Sequence, residues 1–108
     1  MKRGDLVRVA LPGDYGKPRP ALVVQSNLFA KHASVTLLPL TSALVDAPLL
    51  RVPIEPNDHN QLQKLSQIMI DKPMTIPRDK VGTPFGRASD ETMVTVSRHL
   101  AVFLGIAT

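Results

Sequence analysis

The chain has 108 residues, of which 44% are hydrophobic and 20% charged, so the composition predicts one globular domain spanning residues 1–108. Thirteen lysines and arginines against nine aspartates and glutamates give a formal charge of +4, which suits an anionic partner such as nucleic acid. Cysteine is absent, which excludes disulfides and thiolate metal sites and fits a cytoplasmic protein, and we find no signal peptide and no membrane span.

Short apolar segments dominate the first 85 positions. Each is rich in Val, Ile, Leu or Thr and reads as a β-strand: 5–11, 20–26, 34–41, 49–55 and 65–72. Since no helical segment separates them, the pattern favours a small antiparallel sheet or barrel over a βαβ fold. Pro39 and Pro53 lie inside two of these strands, and because proline cannot donate to a ladder, each is predicted to mark an edge or a bulge.

The last segment has the periodicity of a helix. Ser89 is the predicted N-cap, and the carboxylates of Asp90 and Glu91 suit the positive end of the helix dipole. Apolar residues recur from Met93 onward at three- and four-residue spacing, and Gly105 is placed to end the helix. We expect this helix to close over one face of the sheet.

An unusual arginine precedes the second strand. Arg19 lies between Pro18 and Pro20, and proline fixes its own φ while biasing the preceding residue toward extended geometry. A backbone constrained in this way would hold one long cation in a defined place. The alternative is a rigid loop that carries a solvated arginine.

Several kinds of functional site have no sequence support. The three histidines have no partner four residues away and lie in different predicted elements, which argues against a metal site: His32, His59 and His99. No phosphate-binding glycine loop and no nucleophile elbow is present. The four aromatic residues are too few for the stacking platforms of generic single-strand binders.

The remaining candidates for a functional site are hydroxyl and guanidinium groups at strand ends. Arg19, Thr41 and Ser42 have this placement, and Arg87 is a further candidate. An arginine can hold a phosphate through two parallel N–H···O bonds, and a threonine hydroxyl can hold a third oxygen. RNA carries its own nucleophile, the 2′-OH, so such a site needs neither a metal nor a protein nucleophile. The residues alone therefore indicate an anion site.

Four motifs in order resemble the MazF/PemK family of toxin endoribonucleases, which belong to type II toxin–antitoxin modules. They are Gly-Asp-Leu at 4–6, Arg-Pro-Ala-Leu-Val-Val at 19–24, Pro-x-Thr-Ser at 39–42 and Ser-Gln-Ile at 66–68. The similarity extends over residues 2–105.

The resemblance implies a mainly β fold, an SH3-like antiparallel β-barrel of the CcdB/MazF type with a C-terminal α-helix. It also implies a homodimer that cuts single-stranded RNA at a short motif without metal, cofactor or ribosome. The expected products are a 2′,3′-cyclic phosphate and a 5′-hydroxyl. A cognate antitoxin with an acidic tail would cover the basic groove.

The family's catalytic residues map onto two positions by the same resemblance. Arg19 matches the arginine of the R-P motif and would serve in acid/base chemistry and phosphate stabilisation, while Thr41 would hold the scissile phosphate. Further substrate contacts are expected from the neighbouring Ser42 and from the cations Lys17, Lys72 and Arg87.

Sequence preference is expected to depend on loops and on one departure from the family. Base recognition is predicted to come from the 12–18 and 42–60 stretches. Relatives often carry a basic residue where this chain has Met69, and Lys72 is the nearby cation that could supply the charge.

Two other functions remain open. One is a CcdB-type poison of DNA gyrase without nuclease activity, although the tail AVFLGIAT lacks the terminal Trp-Gly-Ile of those toxins. The other is a catalytically silent SH3-like binding module. The presence of both Arg19 and Thr41 argues against silence, because a binding module has no need of that pair.

Overall fold

The computed structural model describes residues 1–10 and 16–108. Within this part the strands are β1 (Asp5–Ala10), β2 (Pro18–Val23), β3 (Ser34–Thr41), β4 (Arg51–Ile54), β5 (Ser66–Met69), β6 (Met74–Pro77) and β7 (Gly86–Arg87), and the helix is α1 (Asp90–Phe103). The five predicted strands are confirmed; β2 ends earlier than expected and β4 and β5 are shorter. Position 11, the predicted end of the first strand, lies outside the described residues. Strands β6 and β7 were not predicted, because Met-Thr-Ile-Pro and Gly-Arg are short and contain residues that strands disfavour.

The strands form one curled antiparallel sheet, so the predicted mainly β fold with a C-terminal helix is confirmed. Their order is β4-β5-β3-β2-β1-β7, and β6 pairs with β3 beside this path. The central strand β3 therefore has two partners along one edge, β6 at 34–37 and β5 at 40–41. This division lets the sheet curl, since the two partners extend it in different directions.

Pro39 lies at the point where β3 changes partner. The carbonyl of Thr36 accepts the Val24 N–H at 3.2 Å, so the backbone groups of Thr36 face β2. Because the backbone groups of successive residues face opposite edges of a strand, those of position 39 face the other edge, between β6 and β5. The missing N–H of proline costs no ladder bond there. Pro39 is thus in a central strand, which corrects the edge-or-bulge prediction, whereas Pro53 lies in the edge strand β4 as predicted.

Strand β2 begins two residues earlier than predicted, at Pro18. Positions 18–20 pair with β1, but pairing with β3 starts only at Ala21. Since proline has no N–H to donate, Pro18 and Pro20 are tolerated where one edge of the strand has no partner among the described strands. Arg19, between them, is therefore held in extended backbone beside an open edge.

The helix packs on the inner face of the sheet, as predicted. Val96 is fully buried, and half-buried Met93 and Leu100 pack against the same cluster. This cluster is the main core, and its other buried members are Leu6, Leu22, Val24, Leu38, Leu40, Val52, Ile54, Ile68, Ile70 and Ala88. The Ser89 hydroxyl caps the helix by accepting the Thr92 N–H at 3.1 Å.

The other end of the helix closes at Gly105, whose φ is +75°. The Ile106 N–H donates to the Ala101 carbonyl at 2.8 Å, and the Gly105 N–H to the Val102 carbonyl at 3.1 Å, so the last carbonyls are satisfied in a Schellman motif. No helix in the described part of the chain is long and apolar enough to cross a membrane.

Candidate active site

A cavity of about 490 Å³ opens where the start of β2 meets the end of β3. We call it the Arg19 cavity. Its described lining residues are Arg8, Arg19, Pro20, Leu40, Thr41, Ser42, Ala43, Gln61, Leu62, Gln63, Lys64, Ser66, Met69 and Phe85. Strands β1, β2, β3 and β5 thus contribute to one site, together with the segment 61–64.

The structure brings together three of the six residues proposed for the site. Arg19, Thr41 and Ser42 line the Arg19 cavity. Lys17 and Lys72 are exposed and are not among the described lining residues. Their predicted contacts to substrate stay predictions, and would have to be made along an RNA path outside the cavity.

Arg87, the sixth, is held at the other edge of the sheet. Its guanidinium donates to Asp5 Oδ1 at 3.1 Å and to the Arg3 carbonyl at 3.2 Å. These contacts tie β7 to the start of β1, and Arg87 is not among the described residues of the cavity lining. Its predicted role in substrate binding is untested.

The Thr41 hydroxyl is fixed by its own turn. The backbone N–H of Ala43 donates to Thr41 Oγ1 at 3.1 Å. A hydroxyl oxygen that accepts one hydrogen bond still carries its proton for donation, and accepting the bond polarises the O–H. Thr41 is therefore prepared to donate to an anionic oxygen in the cavity.

The charge of the lining is entirely positive among the described residues. Arg8, Arg19 and Lys64 contribute three cations, and no aspartate or glutamate is in the described lining. All three side chains are exposed, so they are accessible to an anion from solvent. Charged hydrogen bonds from such groups to phosphate are about twice as strong as neutral ones.

Arg8 and Lys64 line the cavity but were not predicted as site residues. Arg8 interrupts the otherwise apolar run of β1, between the buried Val7 and Val9, and this interruption was the available signal. Lys64 lies in a polar loop, where nothing local distinguishes it from a solvated lysine. Both line the same cavity as Met69, and they supply two of its described positive charges.

The loop that carries residues 61–64 is organised by Asn60, whose side chain is 1% exposed. Its Oδ1 accepts the N–H groups of Asn57 and Leu62, both at 3.0 Å, and its Nδ2 donates to the Glu55 carbonyl at 2.8 Å. The backbone of Gly86 packs against it so closely that a Cβ there would lie 2.3 Å from the Asn60 carbonyl oxygen. One buried amide thus shapes this wall of the cavity.

In an Asn60→Ala variant, the loop that carries residues 61–64 should therefore unfold more readily than the sheet. We expect a loss of about 1–3 kcal/mol of stability, since two backbone N–H groups and a carbonyl lose their buried partner. Urea unfolding checks this expectation, with the exposed Gln63→Ala as control; an Asn60→Ala variant as stable as the parent would contradict the assignment.

The opposite wall is held by Gln67. Its Nε2 donates to the Val45 carbonyl at 2.9 Å, and its Oε1 accepts the Val45 N–H at 3.1 Å. This pair of bonds fastens the 42–45 loop, which follows Thr41, to strand β5. The structure therefore gives the Ser-Gln-Ile motif a positioning role.

The predicted base-reading stretches are only partly represented in the lining. Ser42 and Ala43 come from the 42–60 stretch, but segment 61–64, just beyond it, contributes more residues. In the 12–18 stretch, positions 12–15 lie outside the described residues. No three metal-ligating side chains converge within the ranges 1–10 and 16–108.

The sequence matches a known protein family and a named relative. Residues 2–104 match the family described as PemK-like, MazF-like toxin of type II toxin–antitoxin system. A protein of Mycolicibacterium smegmatis named "Probable endoribonuclease MazF" is 47% identical, in a match that covers 99% of this chain and 99% of the relative.

Solved structures share the fold. An endoribonuclease from a mycobacterial species, solved in complex with its cognate antitoxin, superposes with a TM-score of 0.84 at 25% identity and covers 100% of this chain and 98% of its own. The Mycobacterium tuberculosis toxin MazF-mt6 gives 0.81 at 20% identity, covering 96% and 99%. A MazE–MazF structure from Deinococcus radiodurans gives 0.77 at 20% identity, covering 99% and 97%.

Proposed function

We propose that this chain, which belongs to the family of PemK-like, MazF-like toxins of type II toxin–antitoxin systems, is an endoribonuclease that cuts single-stranded RNA in the Arg19 cavity. The observation that carries the proposal is the meeting of Arg19 and Thr41 in one cavity whose described charges are all positive. The 47% identical relative, named as an endoribonuclease, supports it. Both facts favour RNA cleavage over the gyrase-poison and silent-module alternatives.

The reaction follows from the chemistry of RNA and the groups in the cavity. The 2′ oxygen attacks the adjacent phosphorus, the bond from phosphorus to the 5′ oxygen breaks, and a 2′,3′-cyclic phosphate and a 5′-hydroxyl result. The 2′-OH gives up its proton as it attacks, and the departing 5′ oxygen takes up a proton. Groups of the site and water accept the first proton and supply the second. RNA supplies the nucleophile, so no metal-bound hydroxide is needed.

Arg19 and Thr41 have different tasks in this reaction. Negative charge grows on the phosphoryl oxygens and on the leaving 5′ oxygen in the transition state, and guanidinium N–H groups stabilise it. Arg19 donates to these oxygens and assists the proton transfer. The Thr41 hydroxyl, which accepts the Ala43 N–H, donates a hydrogen bond to one phosphoryl oxygen. This bond holds the phosphorus in line with the attacking 2′ oxygen and the departing 5′ oxygen.

The partners follow from the family and the charge. The chain acts as a single toxin domain over residues 1–108, in the cytoplasm where mRNA is available, and is inhibited by a cognate antitoxin whose acidic segment neutralises the cavity. One related endoribonuclease has been solved with its cognate antitoxin, which supports this pairing. A homodimer would place two such cavities along one RNA path.

An assay with a metal chelator tests the proposal. Purified protein is incubated with long single-stranded RNA in EDTA, and the cut ends are mapped by primer extension. We expect cuts at one recurring short motif and none in DNA of the same sequence. Intact RNA after incubation with well-folded protein would refute the proposal, and a DNA-supercoiling assay would then test the gyrase alternative.

Binding should also weaken as salt is raised. Each phosphate contact on a single strand contributes about −0.7 to the slope of log K against log salt concentration. With Arg19 and Lys64 available to contact phosphates in the cavity, we expect a slope of about −1.4. Fluorescence anisotropy on an uncleavable RNA measures it, and an affinity independent of salt would contradict the positively charged site.

A further inference from the structure

Arg8 and Phe85 form a contact inside the Arg19 cavity that the cleavage chemistry does not use. The guanidinium carbon of Arg8 lies 4.5 Å from the centroid of the Phe85 ring, within the range of a cation–π interaction. Both residues line the cavity. Arg8 is exposed, whereas Phe85 is half-buried and packs against the main core.

Backbone hydrogen bonds hold this pair in place from both sides. The Phe85 N–H donates to the Leu6 carbonyl at 2.9 Å, and the Gly82 N–H donates to the Arg8 carbonyl at 3.0 Å. Segment 82–85 is thereby fastened along β1. The ring therefore has a fixed base on the core, and the guanidinium above it is restricted before any ligand binds.

Phe85 is also the only aromatic residue in the described lining of the cavity. Phe29 lies in the 3-10 turn after β2 and Phe103 at the end of α1, both away from it. The scarcity of aromatic residues in the sequence argues against the stacking platforms of generic single-strand binders. In the cavity, however, one ring and one guanidinium lie together, and unstacked RNA bases pack on aromatic rings and on arginine planes alike.

We propose that Arg8 and Phe85 form a stacking subsite for one nucleobase beside the scissile phosphate. The subsite rests on the proposed RNA cleavage, because Arg19 and Thr41 place that phosphate in the same cavity. The base stacks on the exposed guanidinium, which is itself backed by the ring. The volume of about 490 Å³ is in the range of pockets that enclose small planar ligands.

The pair acts by positioning. A base held at this surface fixes one nucleotide next to the reacting phosphate, which favours the in-line approach of the 2′ oxygen. Because every base has a π-face, the subsite contributes affinity and register without selecting a base by hydrogen bonds.

The test couples a protein change to an RNA change. Binding is measured to a short RNA that spans the mapped cleavage site and carries a 2′-deoxy nucleotide there, so that it stays intact. In a series of such RNAs, each position in turn has an abasic ribose. For the wild type we expect one position beside the scissile phosphate to lose about 5- to 100-fold in affinity when its base is removed.

Arg8→Lys and Phe85→Leu should each weaken binding to the complete RNA and abolish the extra loss at that one position. Arg8→Lys keeps the charge and removes the planar group, so it separates stacking from phosphate binding. Arg98→Lys, on the exposed face of α1, is the matched control and should behave like the wild type. Melting curves report whether Phe85→Leu still folds.

Each failure points to one cause. If Arg8→Lys binds the complete RNA as tightly as the wild type does, the stacking subsite is wrong. It is also wrong if removal of each base costs the variant as much affinity as it costs the wild type. In both cases the proposed cleavage still stands. If the wild type neither binds nor cuts RNA, the proposed function fails and the subsite with it.

Discussion

Replacement of Arg19 by alanine is expected to lower the rate of RNA cleavage by at least about 100-fold, and by up to about 1,000-fold. Arg19 lies in β2 between two prolines, beside an edge at which β3 pairing has not yet begun. In the proposed reaction its guanidinium stabilises the charge that develops on the phosphoryl oxygens. The loss should appear mainly in kcat, because the stabilisation is greatest in the transition state.

The side chain of Arg19 is exposed, so the variant should keep its fold and melting temperature. Arg98→Ala, an exposed arginine on α1, is the matched control and should cleave like the wild type. Arg19→Lys should recover only part of the activity, since an ammonium group cannot form two parallel bonds to a phosphate. An Arg19→Ala protein that retained full activity would show that the reaction takes place elsewhere.

Replacement of Thr41 by valine should cost about 100-fold in kcat, which is typical of the loss of one donor to a developing oxyanion. Valine has nearly the shape of threonine, so the change removes the hydroxyl and little else. It also removes the acceptor of the Ala43 N–H, which frees the start of the 42–45 loop.

Steady-state cleavage rates over a range of RNA concentrations give kcat and KM separately and so measure this effect. Thr75→Val serves as the control, because Thr75 lies in β6, on the same edge of β3 but outside the cavity lining. A loss confined to KM would indicate that Thr41 only binds the substrate, and unchanged kinetics would remove it from the site.

The two strand-end residues could be predicted because their signals are local. Proline on both sides of Arg19 and a proline two residues before Thr41 fix the backbone, whatever the rest of the fold does. The capped helix from Asp90 was predictable for the same reason: an N-cap, acidic first-turn residues and a terminal glycine act within one or two turns.

Arg8 and Lys64, which were not predicted as site residues, depend on contacts between residues that are far apart in the sequence. Arg8 enters the cavity because Phe85, 77 positions later, packs beside it. Lys64 enters because buried Asn60 and the close approach of Gly86 shape its loop. The periodicity of a single sequence contains no information about such contacts. For the same reason, it could not indicate that Arg87 and Lys72 lie outside the described lining of the cavity.

The most direct test of the account is to remove a single oxygen from the substrate. An RNA that spans one mapped cleavage motif is synthesised with a 2′-deoxy nucleotide only on the 5′ side of the scissile phosphate, and is incubated with the protein in EDTA. We expect binding to persist and cleavage at that phosphate to cease, while the all-ribose strand yields a 2′,3′-cyclic phosphate. Cleavage of the 2′-deoxy strand at the same bond would contradict the mechanism, because the nucleophile could not then come from the RNA.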